Sequence, residues 1–165
     1  MVELLNGLFS RFKHLAERHG VEKIKTIGGS YMAAAGLPVE TEDRAGAIAE
    51  LALDMLQVVE EFESSWPNLR IRVGINTGPV VAGVIGTKKF IYDLWGETVN
   101  IASRMESPGK PGQIQVSEYS YDPLKDRYEF QKRGTLISKK KKEIHTTYFM
   151  LGRKNPVPLI GGESR

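Results

Sequence analysis

Asn100 and Arg104 are four residues apart in a stretch with helical periodicity, so their side chains share one face of a short helix. An arginine stays charged at any ordinary pH, and its planar fork pairs with phosphate oxygens. Further along the chain, four consecutive lysines, Lys139 to Lys142, concentrate positive charge. These side chains suit contact with phosphate groups. The simpler interpretations are a turn-capping asparagine, an arginine on a solvated face and a solvated charge run.

The elements that must position these residues begin with an amphipathic helix. Apolar residues recur at helical spacing over residues 1–19, and Gly20 ends the pattern. Residues 21–37 predict two short strands, and the adjacent Gly28 and Gly29 between them are typical of a tight hairpin turn. The N-terminal region therefore predicts a helix followed by a β-hairpin.

A second helix is predicted over residues 43–62, and strict alternation over residues 70–77 predicts a strand. A valine-rich stretch punctuated by glycines, residues 78–86, indicates a bent ribbon, and residues 97–107 predict a short helix. Three later strands are predicted at residues 113–117, 127–133 and 144–151. This order predicts an α+β fold, a ferredoxin-like β-α-β-β-α-β unit with a C-terminal subdomain, which lacks the expected first strand.

The length and composition favour one globular domain. The chain has 165 residues, 41% of them hydrophobic and 26% charged, which suits a single core. We expect the domain to occupy residues 1–151, with a disordered tail at residues 152–165 that contains two prolines and a pair of glycines.

The charge and the absence of cysteine exclude several kinds of protein. There are no cysteines, which excludes disulfides and thiolate metal sites, and the three histidines show no ligand spacing and are expected on the surface. The net charge of +3 fits a protein that handles a polyphosphate but is too small to argue for nucleic acid. No apolar run approaches the roughly 18 residues of a membrane span. We therefore expect a cytoplasmic protein without a membrane segment.

Two motifs resemble the class III adenylyl and guanylyl cyclase family. The first is EKIKTIG at residues 22–28, followed by YMA at residues 31–33. The second begins with RVGINTGPV at residues 72–80 and continues to YDLWGETVNIASRME at residues 92–106. The resemblance extends from residue 1 to about residue 151, because the spacing between the motifs also fits. It implies a domain that forms a cyclic nucleotide from a nucleoside triphosphate at a site shared by two such domains.

The resemblance places Lys25 and Asp93 where the family selects its base. Adenine offers an acceptor at N1 and a donor at its 6-amino group, which a lysine and an aspartate complement. Guanylyl cyclases have an acidic residue at position 25, so the pair predicts ATP. The simpler interpretations are a solvated strand lysine and a loop acid.

The resemblance also assigns roles near the phosphates. It implies that Asn100 positions the ribose and that Arg104 stabilises charge on the transferring phosphoryl group, as arginine suits. The lysine run lies where the family has a Lys-Gly-Lys-Gly turn that contacts phosphates. Lys141 is the best candidate for such a contact, although replacement of both glycines by lysine puts the loop geometry in doubt.

The family's metal site is where this sequence departs from the resemblance. The family uses two aspartates to hold Mg²⁺ or Mn²⁺, one on a strand before the first helix and one in the hairpin. Glycine stands at the hairpin position here, as Gly29, and the sequence starts after the first position. Asp43 and Glu40 lie nearby, but their spacing does not indicate that they replace these ligands. We therefore expect neither metal aspartate.

The sequence predicts an adenylyl cyclase homologue that is inactive alone. One alternative is a complementing half-site that is active with a metal-bearing cyclase domain. In either case the resemblance predicts a homodimer, or a heterodimer with another cyclase domain. A second alternative is a self-sufficient adenylyl cyclase with altered metal binding. An RNA-binding module is a further class, but its sheets need exposed aromatic residues at set strand positions, and these strands show none convincingly.

Overall fold

The computed structural model describes residues 2–27, 29–37, 42–85, 91–107, 109–137 and 144–154. Four helices and eight strands follow in chain order within these residues. They are α1 (Val2–His19), β1 (Glu22–Ile27), β2 (Ser30–Ala34), α2 (Arg44–Glu61), β3 (Val73–Ile75), β4 (Val81–Ile85), β5 (Ile91–Trp95), α3 (Glu97–Glu106), β6 (Ile114–Ser117), α4 (Glu118–Leu124), β7 (Tyr128–Ile137) and β8 (Ile144–Arg153). The predicted mixture of helices and strands is confirmed.

The ends of the first two helices follow local chemistry. Gly20 ends α1 with a positive φ of 69°, a conformation that is costly for residues with a Cβ. Asp43 caps α2, because its side chain accepts a hydrogen bond from Gly46 N at 3.2 Å. The prediction of both helices is confirmed to within about two residues.

The described strands form three separate sheets. β1 pairs with β2 and β4 pairs with β5, each as an antiparallel ribbon, and the remaining four strands have the order β3-β6-β8-β7. Within the described residues, β2 and β3 therefore each have one edge without a neighbouring strand. The predicted strand at residues 70–77 is shorter than expected, since only Val73–Ile75 form a ladder, and that ladder is with β6.

Two clusters of buried side chains make up the core. The first joins α1 to α2 and includes Leu8, Phe12 and Leu51, and Tyr31 of the hairpin packs against it. The second joins α2 to the four-stranded sheet and includes Ala49, Ala52, Ile75, Ile114, Val116 and Met150. Helix α2 therefore lies between the hairpin region and the four-stranded sheet and contributes to both clusters.

A polar cluster fastens the C-terminal strands to α2. The Tyr128 hydroxyl donates to Glu50 Oε2 at 2.6 Å, and Arg153 Nη2 donates to Glu50 Oε1 at 2.7 Å. Burial raises the pKa of the Glu50 carboxyl, but the hydrogen bonds from Arg153 and Tyr128 outweigh it and hold that pKa below its ordinary value. Arg153 is the last residue of strand β8, which therefore ends two residues past the predicted domain end. Residues 155–165 of the predicted tail lie outside the described residues.

We expect replacement of Glu50 by glutamine to lower the free energy of unfolding by about 1 kcal/mol at neutral pH, since the charge-assisted hydrogen bonds are lost. A lowered native pKa stabilises the fold above the unfolded-state pKa, and this stabilisation is lost as pH falls through the lower native value. The difference between the two proteins should therefore begin to shrink below the ordinary glutamate pKa of 4.5 and disappear once the pH is below the lower native pKa. Urea unfolding at several pH values measures it.

Glu60→Gln is the matched control, because Glu60 is an exposed residue of the same helix and has no side-chain partner among the described residues. It should change the unfolding free energy little at any pH. An equal effect of the two substitutions would contradict the assignment of the stabilising contacts to Glu50.

No helix in the described part of the chain is both long and apolar enough to cross a bilayer.

Candidate active site

The structure brings Lys25 and Asp93 together, although 68 residues separate them in the sequence. Lys25 Nζ donates to Asp93 Oδ2 at 2.9 Å, where β1 lies against β5. Asp93 is 9% exposed, and its second carboxylate oxygen accepts from its neighbour Leu94 N at 2.8 Å. The carboxylate is therefore fixed in orientation by one backbone donor and one lysine.

The Asp93 side chain is held as a carboxylate at neutral pH. The hydrogen bond from Lys25 lowers the pKa of the Asp93 carboxyl, and the N–H of Leu94 lowers it further. An ammonium has three donors and a carboxylate oxygen has two lone pairs, so each group keeps unused hydrogen-bonding capacity while the ion pair is intact. The pair can thus present both a donor and an acceptor to a third molecule.

Asn100 and Arg104 lie on α3, one turn apart, as predicted. The adjoining face of this helix, about 100° around its axis, is buried through Ile101 and Met105, which are 6% and 0% exposed. Asn100 is exposed, Arg104 is half-buried, and Arg104 has no ion pair among the described residues. A half-buried arginine without a counter-ion is available to an anionic ligand.

The C-terminal half of α3 rests on the beginning of β3. Arg72 Nε is 3.1 Å from Glu106 Oε2, at the end of the helix. A Cβ added at Gly74 would lie 2.6 Å from Ala102 O, so the helix backbone packs directly on this glycine. Any other residue at position 74 would push α3 away from the sheet.

The N-terminal half of α3 is held by the residues that follow β3. Asn76 Nδ2 donates to Thr98 O at 3.0 Å, and Thr98 Oγ1 donates to Pro79 O at 2.5 Å. A Cβ at Gly78 would lie 2.6 Å from Thr98 Oγ1. Arg72, Gly74, Asn76 and Gly78 thus alternate along one face of the segment, and we call these four residues the α3-facing row.

Gly29, the position at which the resemblance predicts a metal-binding aspartate, lies in the turn between β1 and β2. A Cβ added there would meet no heavy atom of the described chain within 4 Å, and the backbone is not in the left-handed region. Neither space nor conformation requires glycine at this position.

Among the described residues, the nearby carboxylate Asp43 is engaged by other groups. Asp43 is engaged by the cap of α2 and by Arg127, whose Nη1 is 2.8 Å from Asp43 Oδ2, and Glu40 lies outside the described residues. The residues that the structure describes contain no group of three or more His, Cys, Asp or Glu side chains placed to hold a metal ion.

Lys141 lies outside the described residues, as does the rest of the lysine run, so its phosphate contact stays a prediction. The expectation of surface histidines is wrong for His145, which is 3% exposed. In β8 the alternate positions His145, Thr147 and Phe149 face the interior. Sequence reasoning missed this because the strand is preceded by charged residues and its buried face contains polar side chains.

Comparison with known proteins defines the class of this chain. The model of the adenylate and guanylate cyclase catalytic domain matches residues 1–152. The chain is 44% identical over 169 residues to an adenylate cyclase from Mycobacterium tuberculosis, with 100% of this chain and 38% of that protein covered. It is 45% identical over 166 residues to guanylate cyclase 2G from Mus musculus, with 96% and 15% covered.

A solved structure shows the same fold. The guanylate cyclase domain of RhGC from Catenaria anguillulae, in complex with GTP, has a TM-score of 0.87 and 36% identity, with 93% of this chain and 85% of that chain covered. This chain therefore belongs to the adenylate and guanylate cyclase family, whose domains act as dimers and bind nucleotide. It spans only 38% of the Mycobacterium tuberculosis relative. Both adenylate and guanylate cyclases are among its relatives, so the comparisons leave the base open.

Proposed function

We propose that this chain is an adenylyl-type cyclase homologue that recognises ATP but forms little cyclic AMP alone. The observation that supports this most is the ion pair between Lys25 and Asp93, 2.9 Å apart, three residues from a hairpin turn that has glycine at the metal position. The two residues that we propose to read the base are thus in contact, whereas Gly29 offers no carboxylate beside them.

Base reading follows from the hydrogen-bonding capacity of the pair. Lys25 donates to N1 of adenine, and Asp93 accepts from the 6-amino group. Guanine has a donor at N1 and an acceptor at O6, so it would place donor against donor and acceptor against acceptor. The Leu94 N–H at 2.8 Å and the Lys25 ammonium keep the Asp93 carboxylate oriented before the nucleotide arrives. This preorganisation supports selectivity for adenine.

The exposed face of α3 supplies the remaining contacts. Arg104 has no competing ion pair among the described residues, so its guanidinium is free to pair with phosphate oxygens as charge develops on them. Asn100, one turn earlier, holds the ribose through its amide. These two roles come from the family resemblance, and the helix geometry is compatible with both.

The residues around Gly29 do not fit the divalent ions that the family generally uses. Hard cations such as Mg²⁺ and Mn²⁺ need several oxygen ligands, and Gly29 offers no side-chain oxygen. The nearby Asp43 is committed to Arg127 and to the α2 cap. We therefore propose that this chain does not hold the ions. Without bound ions, the 3′-hydroxyl of ATP is poorly activated.

The second candidate function is a complementing half-site. It is favoured by a contrast within the sequence. Lys25, Asp93, Asn100 and Arg104 are all present, whereas glycine stands at the expected metal position. This is the pattern expected of a domain whose partner supplies the carboxylates. A self-sufficient adenylyl cyclase with altered metal binding is the remaining alternative.

Cyclic AMP formation with ATP and Mn²⁺ or Mg²⁺ distinguishes the three. The purified chain alone should form no product above background. A Gly29→Asp variant fused to an aspartate-bearing first strand from a homologue should be active, since a Cβ at position 29 meets no heavy atom of the described residues within 4 Å. Turnover by the native chain alone would overturn the proposal and favour the self-sufficient enzyme.

Mixing with a metal-bearing cyclase domain tests the half-site candidate. If the mixture forms more cyclic AMP than the metal-bearing domain alone, this chain completes a shared site. A mixture no more active than that domain alone would exclude the half-site candidate. An inactive repaired fusion would contradict the view that the rest of the site is intact.

A further inference from the structure

The α3-facing row contains one side chain that hydrogen-bonds to both sides of the helix–sheet junction. Asn76 Nδ2 donates to Thr98 O in the first turn of α3 at 3.0 Å. Its Oδ1 accepts from the Ser117 hydroxyl at the end of β6, and Ser117 is fully buried. Asn76 therefore ties the start of α3 to a rigid strand of the four-stranded sheet.

The N-cap residue of α3 provides no side-chain cap. Its N-cap residue is Gly96, which has a φ of 122° and makes no side-chain hydrogen bond. Helix ends usually fray unless a side chain or a tertiary contact satisfies them. The hydrogen bonds of Asn76 Nδ2 and of the Thr98 hydroxyl go to carbonyl oxygens, so they do not satisfy the free N–H groups of this end. They instead hold the first turn of α3 against the residues that follow β3, two residues before Asn100 in the chain.

The orientation of the Asn76 amide is determined by its partners. A backbone carbonyl only accepts, so the nitrogen must face Thr98 O. The oxygen then faces Ser117, whose hydroxyl donates. An aspartate has nearly the same shape but no donor, so it would direct a carboxylate oxygen at the Thr98 carbonyl and repel it.

We propose that Asn76 is a positioning residue that fixes the placement of α3 and, through it, of Asn100 and Arg104. The rest of the row fits this role, because Gly74 permits the close approach of the helix and Arg72 holds its C-terminal end at Glu106. Asn76 acts through the helix and does not contact the nucleotide. The catalytic part of this inference rests on the proposed function, whereas the placement of α3 does not.

The test compares Asn76→Asp with the native chain by hydrogen–deuterium exchange and by cyclic AMP formation in the mixture with a metal-bearing domain. The amides of α3 should exchange faster in the variant, while those of β1 and β2 should be unchanged. In the mixture, kcat should fall about 10- to 100-fold, because a small displacement of reacting groups has a large effect on rate. The KM for ATP should change less than about threefold, since β1 and β5 hold the base-reading pair.

Asn68→Asp is the matched control, since it makes the same chemical change at an exposed residue outside the row. It should leave exchange and kcat unchanged. If Asn76→Asp does not fold, Ser117→Ala should give the same pattern to a smaller degree, because it removes only the donor to Asn76 Oδ1.

Unchanged exchange in α3 would overturn the inference, as would exchange that rises equally throughout the chain. A fall in kcat without any change in α3 would also overturn it. If the native mixture forms no more product than the metal-bearing domain alone, the half-site function fails on its own, and the exchange measurement still decides whether Asn76 fixes α3.

Discussion

Replacing Arg104 by alanine should lower kcat for cyclic AMP formation about 10²- to 10³-fold in the mixture of this chain with a metal-bearing cyclase domain. Arg104 is half-buried on α3 and has no ion pair among the described residues, so its removal breaks no structural contact with another charge. The loss should therefore appear in the rate rather than in stability. Steady-state kinetics of the mixture measures it, beside thermal unfolding of the variant.

Arg18→Ala is the matched control for this loss, because Arg18 is an exposed helical arginine without an ion pair among the described residues. It should leave kcat unchanged. Arg104→Lys keeps the charge but loses the planar fork, so it should recover only part of the rate. Full activity of Arg104→Ala would contradict a phosphate role for this residue.

Replacing Lys25 by glutamate together with Asp93 by cysteine should shift the ratio of kcat/KM for ATP over GTP toward GTP by about 10²-fold or more. Sites built to hydrogen-bond a particular group discriminate strongly against a ligand that leaves their polar groups unpaired. Glutamate accepts from the N1–H and 2-amino groups of guanine, whereas the native lysine donates to N1 of adenine. Parallel assays of cyclic AMP formed from ATP and cyclic GMP formed from GTP in the complemented mixture measure the ratio.

The double substitution is needed because the native side chains form an ion pair at 2.9 Å. Lys25→Glu alone would place two carboxylates at that separation, and their repulsion would disturb the site for any nucleotide. Lys23→Glu is the control, since Lys23 is an exposed residue of the same strand. An unchanged preference in the double variant would refute the assignment of Lys25 and Asp93 to base reading.

The two predictions are separable because the residues lie on different elements. Lys25 and Asp93 are on strands β1 and β5, whereas Asn100 and Arg104 are on helix α3. Arg104→Ala should therefore reduce the rate with ATP and GTP alike and leave the preference between them unchanged. The double variant should change the preference while the contacts of Arg104 stay in place.

The sequence by itself determined the features that depend on near neighbours. Helical spacing and the αL conformation available to Gly20 determined α1, and the short polar side chain of Asp43 determined the start of α2. The four-residue spacing of Asn100 and Arg104 put them on one helix face. The lack of a side-chain oxygen at Gly29 needs no structure, because glycine has no side chain.

The tertiary structure alone decided the contacts between distant segments. Helix α4 escaped prediction, since its sequence contains Pro123 and is only 7 residues long, and strand β3 is short because a strand needs a hydrogen-bonded neighbour as well as alternation. The burial of His145 depends on the register of β8 against β6 and β7. The closeness of Lys25 and Asp93 and the bridge made by Asn76 both require packing of elements far apart in the chain, which local periodicity does not specify.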